Sequence, residues 1–502
     1  MTADTIAALA TARGTAALAI LRVSGPEAIE IIERHFRPAG KIAALPSHHC
    51  AVGTFMDEGE AIDRVVVALF RAPDSYTGEN LVEITCHGGE WVPARILKIL
   101  HTAGARSARP GEFTQRAYLN GKLDLTQAEA VEALILAKSG AAARAAFRIL
   151  AGGLRRALEE SLEQLTLVLA MREANLDIME DGAPDTISRF AGEPAELVGE
   201  SRRTRDILGL EVQRLERLLE GGRAGKLAEE GRRVVLSGRP NAGKSSILNA
   251  LLARERAIVS PRPGTTRDSL EAWVEWGGQP LVLVDTAGLS GGASTDGGAR
   301  DPLAEEAARR TRAEVTSAAI VVHVVDVQAT RPDEVLADLE GMPVPGGQVL
   351  IDLHKWDLGP CSEWHEWLSG ADGEPIEDLT KAGRDRAGVV MRTPRSAAWR
   401  VVASSVVDAP GTEPLRREIL ECLAAAGTDA EAALLVGDRQ REHVERALAA
   451  LRRAIRLDDG GMGDELIAFE VRLALDCLGE VLGRRVGPLV LDQIFSRFCV
   501  GK

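Results

Sequence analysis

The chain lacks the features that mark secreted, cysteine-clustered or membrane-spanning proteins. Its six cysteines include no C-x-x-C pair and no metal-ligand spacing, so the sequence predicts neither a disulfide framework nor a cysteine metal site. No apolar run approaches the roughly 20 residues that cross a bilayer. The first residues, interrupted by Arg13 and Gly14, make a poor signal peptide. We therefore expect a soluble, cytoplasmic protein.

Positive charge is also in deficit, since the formal net charge is −14. Nucleic acid carries a phosphate charge at every nucleotide, so the whole chain is not attracted to it. Any contact with RNA must use a local basic patch or a partner protein. The 502 residues exceed what one core accommodates, and about two to four domains are expected.

Hydrophobic patterning divides the chain into blocks. Short β-like runs, such as residues 17–23, 64–70 and 81–85, occupy the first part. Residues 232 to 425 alternate β-branched runs with helical stretches, which indicates a parallel sheet covered by helices. The pattern predicts a multidomain α/β protein: an α+β domain (1–122), then a helical domain in two parts (123–230 and 426–502) that is interrupted by an α/β domain (231–425). Low-complexity residues 291–300 are predicted to form a surface loop.

Apolar residues at three- and four-residue spacing mark the buried faces of the predicted helices. One such face is formed by Leu154, Leu158, Leu162, Leu165 and Leu169. Further faces are predicted from Leu208, Val212, Leu215 and Leu219, from Val444, Leu448, Leu451 and Ile455, and from Leu466, Phe469 and Leu473, with Leu478 and Leu482 beyond.

A phosphate-binding loop stands at the start of the α/β block. The sequence GRPNAGKS (238–245) follows the apolar run 234–236 and precedes a helical stretch, which is the context that the G-x-x-x-x-G-K-[ST] motif requires. Glycines let backbone N–H groups surround phosphates, and the helix N-terminus adds its dipole. Lys244 would balance β/γ-phosphate charge, and Ser245 would offer a hydroxyl to Mg²⁺.

Two later segments supply the parts of a triphosphate sensor. In GTTRD (264–268), the hydroxyl of Thr266 would reach Mg²⁺ when a γ-phosphate is present. In DTAG (285–288), Asp285 would hold a metal-bound water, and Gly288 would donate its N–H to the γ-phosphate. Lys244, Thr266 and Gly288 are therefore the catalytic candidates among these motifs.

Base recognition is predicted at His354-Lys355-Trp356-Asp357, after the apolar run 349–353. A carboxylate at Asp357 can accept both N1–H and the 2-amino group of guanine, whereas adenine offers neither in that geometry. The usual GTPase pattern is N-K-x-D, so His354 is a departure, although its ring can still donate to guanine N7. The serine-alanine motif that backs the base is degraded, with residues 403–405 nearest to it. GTP is the predicted nucleotide, and ATP remains the alternative because of His354.

Four segments together resemble one family, the tRNA modification GTPases called MnmE or TrmE. They are GRPNAGKSS with GTTRD and DTAG, the N-terminal SYTGENLVEITCHGG, the segment ARPGEFTQRAYLNGKLDLTQAEA, and the terminal FCVGK. The resemblance covers nearly the whole chain. It implies a Ras-like P-loop GTPase domain inserted into the helical domain, with a folate-binding and dimerisation domain in front.

The resemblance implies a K⁺ site beside the phosphates, where the cation would neutralise developing charge. The family's ligand positions fall on Asn241, Ser260, Arg262 and Thr265. With the motifs above, the implied GTP-binding set is Asn241, Ala242, Gly243, Lys244, Ser245, Ser246, Ser260, Thr265, Thr266, Asp285, Thr286, Ala287, Gly288, His354, Lys355 and Asp357.

One departure concerns the attacking water. The family has a glutamate shortly after DTAG that orients this water, and an ungapped count places Ala304 at its position. Either Glu305 or Glu306 takes the role, or hydrolysis is slow.

The resemblance also implies a site for a tetrahydrofolate derivative, either the 5,10-methylene or the formyl form. The family's contacts match Arg22, Glu83, Lys122 and Lys502. Cys499, in the terminal FCVGK, is then a candidate functional thiol. The implied partners are a second copy of the chain, a flavoprotein subunit of the MnmG (GidA) type in a heterotetramer, and tRNA.

The resemblance implies modification of the wobble uridine at C5. The competing reading is a ribosome-assembly or regulatory GTPase, whose flanking domains would only bind partners. Folate binding separates the two, because an assembly factor has no use for a one-carbon donor.

Overall fold

The computed structural model describes residues 4–180, 194–253, 270–286, 309, 312–340, 342, 348–359, 362–369, 391–392, 399–407, 411–425, 434–435, 437–484 and 486–502. The chain forms two compact units, and the first is interrupted in sequence by the second. The first unit contains Met1–Leu136, Ala146–Leu219 and Leu434–Lys502, and the second contains Ala137–Ala145 and Glu220–Ala433. No helix in the described ranges is long and apolar enough to cross a membrane.

The first unit begins with a seven-stranded sheet in the order β3-β4-β5-β6-β2-β1-β7. Its strands are β1 (Ile6–Leu9), β2 (Leu18–Ser24), β3 (Phe36–Arg37), β4 (His49–Asp57), β5 (Glu60–Phe70), β6 (Leu81–His87) and β7 (Arg106–Ser107). All neighbours pair antiparallel except β1 with β7. Helices α1 (Ala28–His35), α2 (Trp91–Thr102) and α3 (Glu112–Leu119) accompany the sheet. The three predicted strand segments correspond to β2, β5 and β6, except that residue 17 precedes β2.

Two pairs of helices follow the sheet: α4 (Leu125–Leu136) and α5 (Gly140–Leu150), then the longer α6 (Gly153–Glu180) and α7 (Pro194–Glu230). The predicted leucine face of α6 is confirmed, because Leu154, Leu158, Leu162 and Leu165 are buried in one core and Leu169 packs against it. The face of α7 joins the same core through Leu208 and Leu215.

The second unit is an α/β layer structure with the sheet order β13-β14-β12-β11-β8-β10-β9. Its strands are β8 (Arg232–Ser237), β9 (Leu270–Trp276), β10 (Gln279–Asp285), β11 (Ile320–Asp326), β12 (Gln348–His354), β13 (Met391–Arg392) and β14 (Trp399–Ala403). The five central strands are parallel, and the edge strands β9 and β13 are antiparallel. Its described helices are α8 (Lys244–Ala253), α9 (Pro332–Glu340), α10 (Ser362–Ser369) and α11 (Glu413–Ala425). The predicted inserted α/β domain is therefore present.

The last part of the chain returns to the first unit as α12 (Asp438–Asp459), α13 (Asp464–Val481) and α14 (Pro488–Phe495). The core of α6 and α7 is completed by Val444, Leu448 and Leu451 of α12. The predicted face of α13 is wrong in part, because Leu466 and Phe469 are 51% and 60% exposed. The buried face of α13 is instead formed by Ile467, Val471, Ala474 and Leu478, whose spacing of four, three and four residues follows one side of the helix.

An ion pair joins the two parts of the helical domain. Arg439 of α12 contacts both carboxylate oxygens of Glu129 in α4, at 2.7 and 2.9 Å, and Gln440 donates to the same carboxylate at 2.6 Å. Both partners are largely buried, so loss of either one would leave the other charge poorly solvated. The TQAEA motif thus contributes to packing through Glu129.

Candidate functional sites

The phosphate loop adopts the backbone conformation that its sequence predicts. Gly238, Asn241 and Gly243 all have positive φ, at 134°, 63° and 104°. Gly238 cannot be replaced without a shift, because a Cβ there would overlap the carbonyl oxygen of Val324 in β11. The loop therefore passes directly over the end of the sheet, and α8 begins at its last turn with Lys244.

Lys244, Ser245 and Asp285 meet at the start of α8. The ammonium of Lys244 is buried and donates to the carbonyls of Gly238 and Arg239, at 2.8 Å each. Burial lowers the pKa of Lys244, while the nearby charge of Asp285 opposes this shift. Ser245 donates to Asp285 Oδ2 at 2.6 Å, so a hydroxyl and a carboxylate, both hard oxygen ligands, lie side by side where Mg²⁺ would be held.

Neighbouring predicted residues complete the loop. Ala242 is buried, whereas Asn241, Ser245 and Ser246 are exposed. Thr286, directly after β10, donates its hydroxyl to the Leu236 carbonyl in β8 at 2.8 Å. The remaining predicted residues lie outside the described residues: Ser260, Arg262, Thr265, Thr266, Ala287, Gly288, Ala304, Glu305 and Glu306, together with the loop 291–300.

The predicted base-recognition loop follows β12 at the same edge of the sheet. Lys355 has a left-handed backbone, φ 61°, and its ammonium contacts Asp326 Oδ2 at 2.6 Å. Burial opposes ionisation of Asp326, but the hydrogen bond and charge of Lys355, together with backbone N–H bonds, outweigh burial and lower the pKa of Asp326. Asp357 is exposed, in a 3-10 turn (Trp356–Leu358), so its carboxylate is free to meet a base edge.

His354, the departure from the usual asparagine, is buried between the two loops. A Cβ at Gly243 would overlap its Cδ2 and lie 2.8 Å from its Nε2, so this edge of the ring faces the phosphate loop. On the other side, Nδ1 lies 3.0 Å from Ser404 Oγ, and Ser404 Oγ lies 2.9 Å from Asp352 Oδ2. Burial lowers the pKa of His354, so the neutral ring is favoured.

Sequence reasoning missed Asp352 and the role of Ser404. Asp352 belongs to the apolar run that precedes the motif, and its pKa is raised to about 7 by complete burial. Ser404 follows β14, in the segment that was described only as a degraded motif. The sequence did contain a signal for this cluster. Asp352 and His354 are polar residues two positions apart in β12, whereas a fully buried strand is usually apolar throughout.

A second cluster of charged residues lies in the first unit. Arg22 Nε contacts Glu83 Oε1 at 2.7 Å across β2 and β6, where the two residues are directly paired. The guanidinium of Arg22 also lies 5.4 Å from the centre of the Tyr76 ring and 3.4 Å from the Gly501 carbonyl oxygen. Burial, then the positive charge of Arg22, lowers the pKa of Lys502. Two cations thus face one carboxylate, an arrangement with spare positive charge for an anionic ligand.

The C-terminal segment is held by backbone bonds against residues 110–113, where α3 begins. Gly111 donates to the Cys499 carbonyl at 3.4 Å, Phe113 donates to the Lys502 carbonyl at 3.2 Å, and Val500 forms an antiparallel bridge with Pro110. This docking brings Lys502 beside Arg22 and leaves the Cys499 side chain exposed. The predicted residues Arg22, Glu83 and Lys502 are therefore adjacent.

Lys122 is placed differently. It is exposed, and its Cγ would lie 3.4 Å from a Cβ on Gly78, in the loop that also carries Tyr76. Among the described residues, Lys122 forms no hydrogen bond or ion pair with Arg22 or Glu83. Tyr76, by contrast, was not predicted, although SYTGENLVEI places an aromatic residue shortly before the Glu83 strand.

The parallel sheet, the phosphate loop with Lys244, the Ser245–Asp285 pair and the exposed Asp357 define the class of P-loop GTPases. Two protein-family models match the chain. One, the GTP-binding protein TrmE N-terminus, matches residues 5–122, and the other, the MnmE helical domain, matches residues 125–499. The chain belongs to the MnmE (TrmE) family of tRNA modification GTPases, and it is a P-loop GTP hydrolase.

Full-length relatives support this membership. The tRNA modification GTPase MnmE of Symbiobacterium thermophilum is 39% identical, and that of Salinibacter ruber 37% identical, each over 99% of both chains. Among solved structures, the G domain of the Thermotoga maritima FeoB iron transporter is 24% identical and covers 38% of this chain and 98% of its own, with a TM-score of 0.24.

Proposed function

We propose that this chain couples GTP hydrolysis to modification of tRNA. With a flavoprotein subunit of the MnmG (GidA) type, it adds a (carboxymethyl)aminomethyl group at C5 of the wobble uridine, using the one-carbon unit of a tetrahydrofolate derivative, in the cytoplasm. The observation that carries the proposal is the pairing of a complete phosphate loop with the Arg22–Glu83–Lys502 cluster in one chain. An assembly GTPase has no need of the second site.

The nucleotide site would act by holding charge in place. Backbone N–H groups of residues 241–244 and the ammonium of Lys244 would bind the phosphates, and Asp357 would accept hydrogen bonds from the guanine edge. Ser245, Thr266 and Asp285 would hold Mg²⁺, which would supply charge neutralisation of the β- and γ-phosphates. Glu305, or Glu306 beside it, orients the attacking water, and Gly288 contacts the γ-phosphate.

A K⁺ site is proposed at Asn241, Ser260, Arg262 and Thr265. The exposed Asn241 side chain, on a left-handed backbone at the loop's turn, suits an oxygen ligand that faces the phosphates. Hydrolysis should therefore be faster in K⁺ than in Na⁺, because only an ion of the right size sits between the phosphates and these ligands.

The Arg22 cluster would hold the folate. Glu83 suits the amino-pyrimidinone edge of a pterin, while Arg22, Lys502 and the exposed Lys122 suit carbonyl oxygens and the glutamyl tail. Burial, and then the positive charge of Arg22, lowers the pKa of Lys502, and a bound anion would favour its charged form. Cys499 is exposed three residues before Lys502 and is proposed as a thiol that serves the one-carbon step.

A homodimer through the N-terminal sheet is also proposed. Val52 and Val66, which are directly paired on β4 and β5, are 48% and 39% exposed. Two adjacent β-branched side chains open to solvent suit an interface, since such a surface gains from removal of water. A second copy of the chain is the occupant that the family implies.

The wobble uridine tests this proposal directly. In cells that lack this gene, mass spectrometry of tRNA should show loss of the C5 modification, and plasmid-borne wild type should restore it. The Arg22→Ala chain should fail to restore it while its purified form still hydrolyses GTP, whereas Lys98→Ala, on the exposed side of α2, should restore it fully. Unchanged uridine modification in the deletion strain would refute the assignment.

A further inference from the structure

Three polar side chains connect the base-recognition loop to the interior of the sheet. Asp352 in β12 is 0% exposed, Ser404 follows β14, and His354 ends β12. The oxygens of Asp352 and Ser404 lie 2.9 Å apart, and Ser404 Oγ lies 3.0 Å from His354 Nδ1. The far edge of the His354 ring, which carries Nε2, faces Gly243 of the phosphate loop.

We propose that Asp352 and Ser404 are positioning residues that set the tautomer of His354, and so determine whether Nε2 presents a proton to the purine ring at N7. The inference rests on the proposed guanine site and deepens it, because it assigns a base contact in addition to Asp357. It applies to this chain because the position that is usually asparagine is histidine here.

The relay follows from the number of protons available. When Asp352 is neutral, its O–H donates to Ser404, the Ser404 O–H donates to Nδ1, and the ring proton must then reside on Nε2. When Asp352 is ionised, Ser404 donates to it, Nδ1–H donates to Ser404, and Nε2 is a bare acceptor. Guanine N7 is itself an acceptor, so only the first state can bind it. The two states differ by one proton, which Asp352 loses to solvent when it ionises.

The surroundings favour the neutral acid. Asp352 is completely buried, and its Oδ1 has no hydrogen-bond partner among the described residues, which penalises a charge there. Burial raises the pKa of Asp352 to about 7, and the bond with Ser404 opposes the shift. For His354, burial and then Lys355 lower the pKa, and Asp357 and Asp326 oppose them, so the ring stays neutral while Asp352 titrates.

These protonation states determine how the hydrogen-bond donor at His354 Nε2 depends on pH. A carboxyl group with a raised pKa is neutral below about pH 7 and ionised above it, so the donor at Nε2 is present at low pH and lost as pH rises. Asparagine at position 352 imitates the neutral acid, because its amide N–H donates to Ser404 at every pH.

The test compares GDP with 7-deaza-GDP, which lacks the N7 acceptor, by calorimetry on the full chain between about pH 6 and pH 8.5. Wild type should prefer GDP by about five- to tenfold at the low end, the worth of one hydrogen bond, and this preference should fall towards one at the high end. Asp352→Asn should retain the preference at all pH values. Ser404→Ala removes the link between Asp352 and Nδ1, so its preference for GDP over 7-deaza-GDP should no longer change with pH.

Parallel measurement of ADP binding distinguishes failure of the relay from failure of the guanine site itself. Preference for GDP over ADP with equal binding of 7-deaza-GDP at every pH would overturn the relay and leave the guanine site intact. A wild-type preference for GDP over 7-deaza-GDP that does not vary with pH would also overturn it, even if both variants fail to fold. No preference for GDP over ADP would remove the guanine site and the relay together.

Discussion

At the scale of single residues, the nucleotide site depends on side chains whose neighbours fix their atoms. Lys244 is held by two loop carbonyls, and Ser245 is held by Asp285. Lys244 does not extend into solvent, because its side chain is buried. A cation so placed has exchanged water for carbonyl oxygens that a triphosphate can replace with stronger, charged partners.

Replacement of Lys244 tests this arrangement. Lys244→Ala should lower kcat for GTP by at least about 100-fold, because the ammonium stabilises charge that develops on the phosphates. Steady-state phosphate release in K⁺ and Mg²⁺ measures the effect. The matched control Lys98→Ala removes a lysine from the exposed side of α2 in the other unit and should hydrolyse GTP at the wild-type rate; a Lys244→Ala rate within threefold of wild type would contradict the role.

At the scale of elements, the sequence predicted those features that follow from local periodicity or from a motif in context. The strand, loop and helix around GRPNAGKS were predictable because glycine, lysine and serine at that spacing have few other uses. The faces of α6, α7 and α12 followed from leucine spacing. The face of α13 did not, because Leu466 and Phe469 are apolar yet exposed, and only the packed structure shows that the other side of the helix meets the core.

The relay of Asp352, Ser404 and His354 could not be predicted for a related reason. Asp352 and His354 belong to β12, and Ser404 follows β14; they meet only because β12 and β14 pair in parallel. The Arg22 cluster was predictable only through the resemblance, since Arg22 and Lys502 lie at opposite ends of the sequence. The short C-terminal segment brings Gly501 and Lys502 beside Arg22.

Docking of that segment gives a prediction at the element scale. Gly501 has φ 99°, and a Cβ there would overlap the Leu9 carbonyl oxygen, so Gly501→Ala should displace Lys502. Folate binding should weaken by tenfold or more, and the strain should cost at least about 1 kcal/mol. Gly487→Ala is the control, because φ is −71° and no atom lies within 4 Å of the new Cβ.

Fluorescence titration with a tetrahydrofolate derivative measures both variants, and GTP turnover of the purified chains is followed in parallel. Equal folate affinity for Gly501→Ala and Gly487→Ala would show that the terminal segment does not build the site.

At the scale of the whole molecule, two kinds of site occur in two separate units. The first unit contains the Arg22 cluster and the helical core, and the second contains the nucleotide site. With a net charge of −14, we expect tRNA to be bound by a local basic patch or by the proposed flavoprotein partner. The proposed work of GTP hydrolysis is therefore conformational, since the nucleotide site and the proposed folate site lie in different units.

The central claim is that a glycine-rich loop grips a triphosphate whose base is selected by Asp357. Turnover of GTP, ATP and xanthosine triphosphate by wild type and by Asp357→Asn tests it most directly. Xanthine carries an oxygen where guanine carries the 2-amino group, so an asparagine amide can donate to it, whereas the aspartate carboxylate can only accept. Wild type should favour GTP over both alternatives, and Asp357→Asn should favour xanthosine triphosphate over GTP by tenfold or more. Equal turnover of GTP and ATP by wild type, or an unchanged preference in Asp357→Asn, would contradict the account.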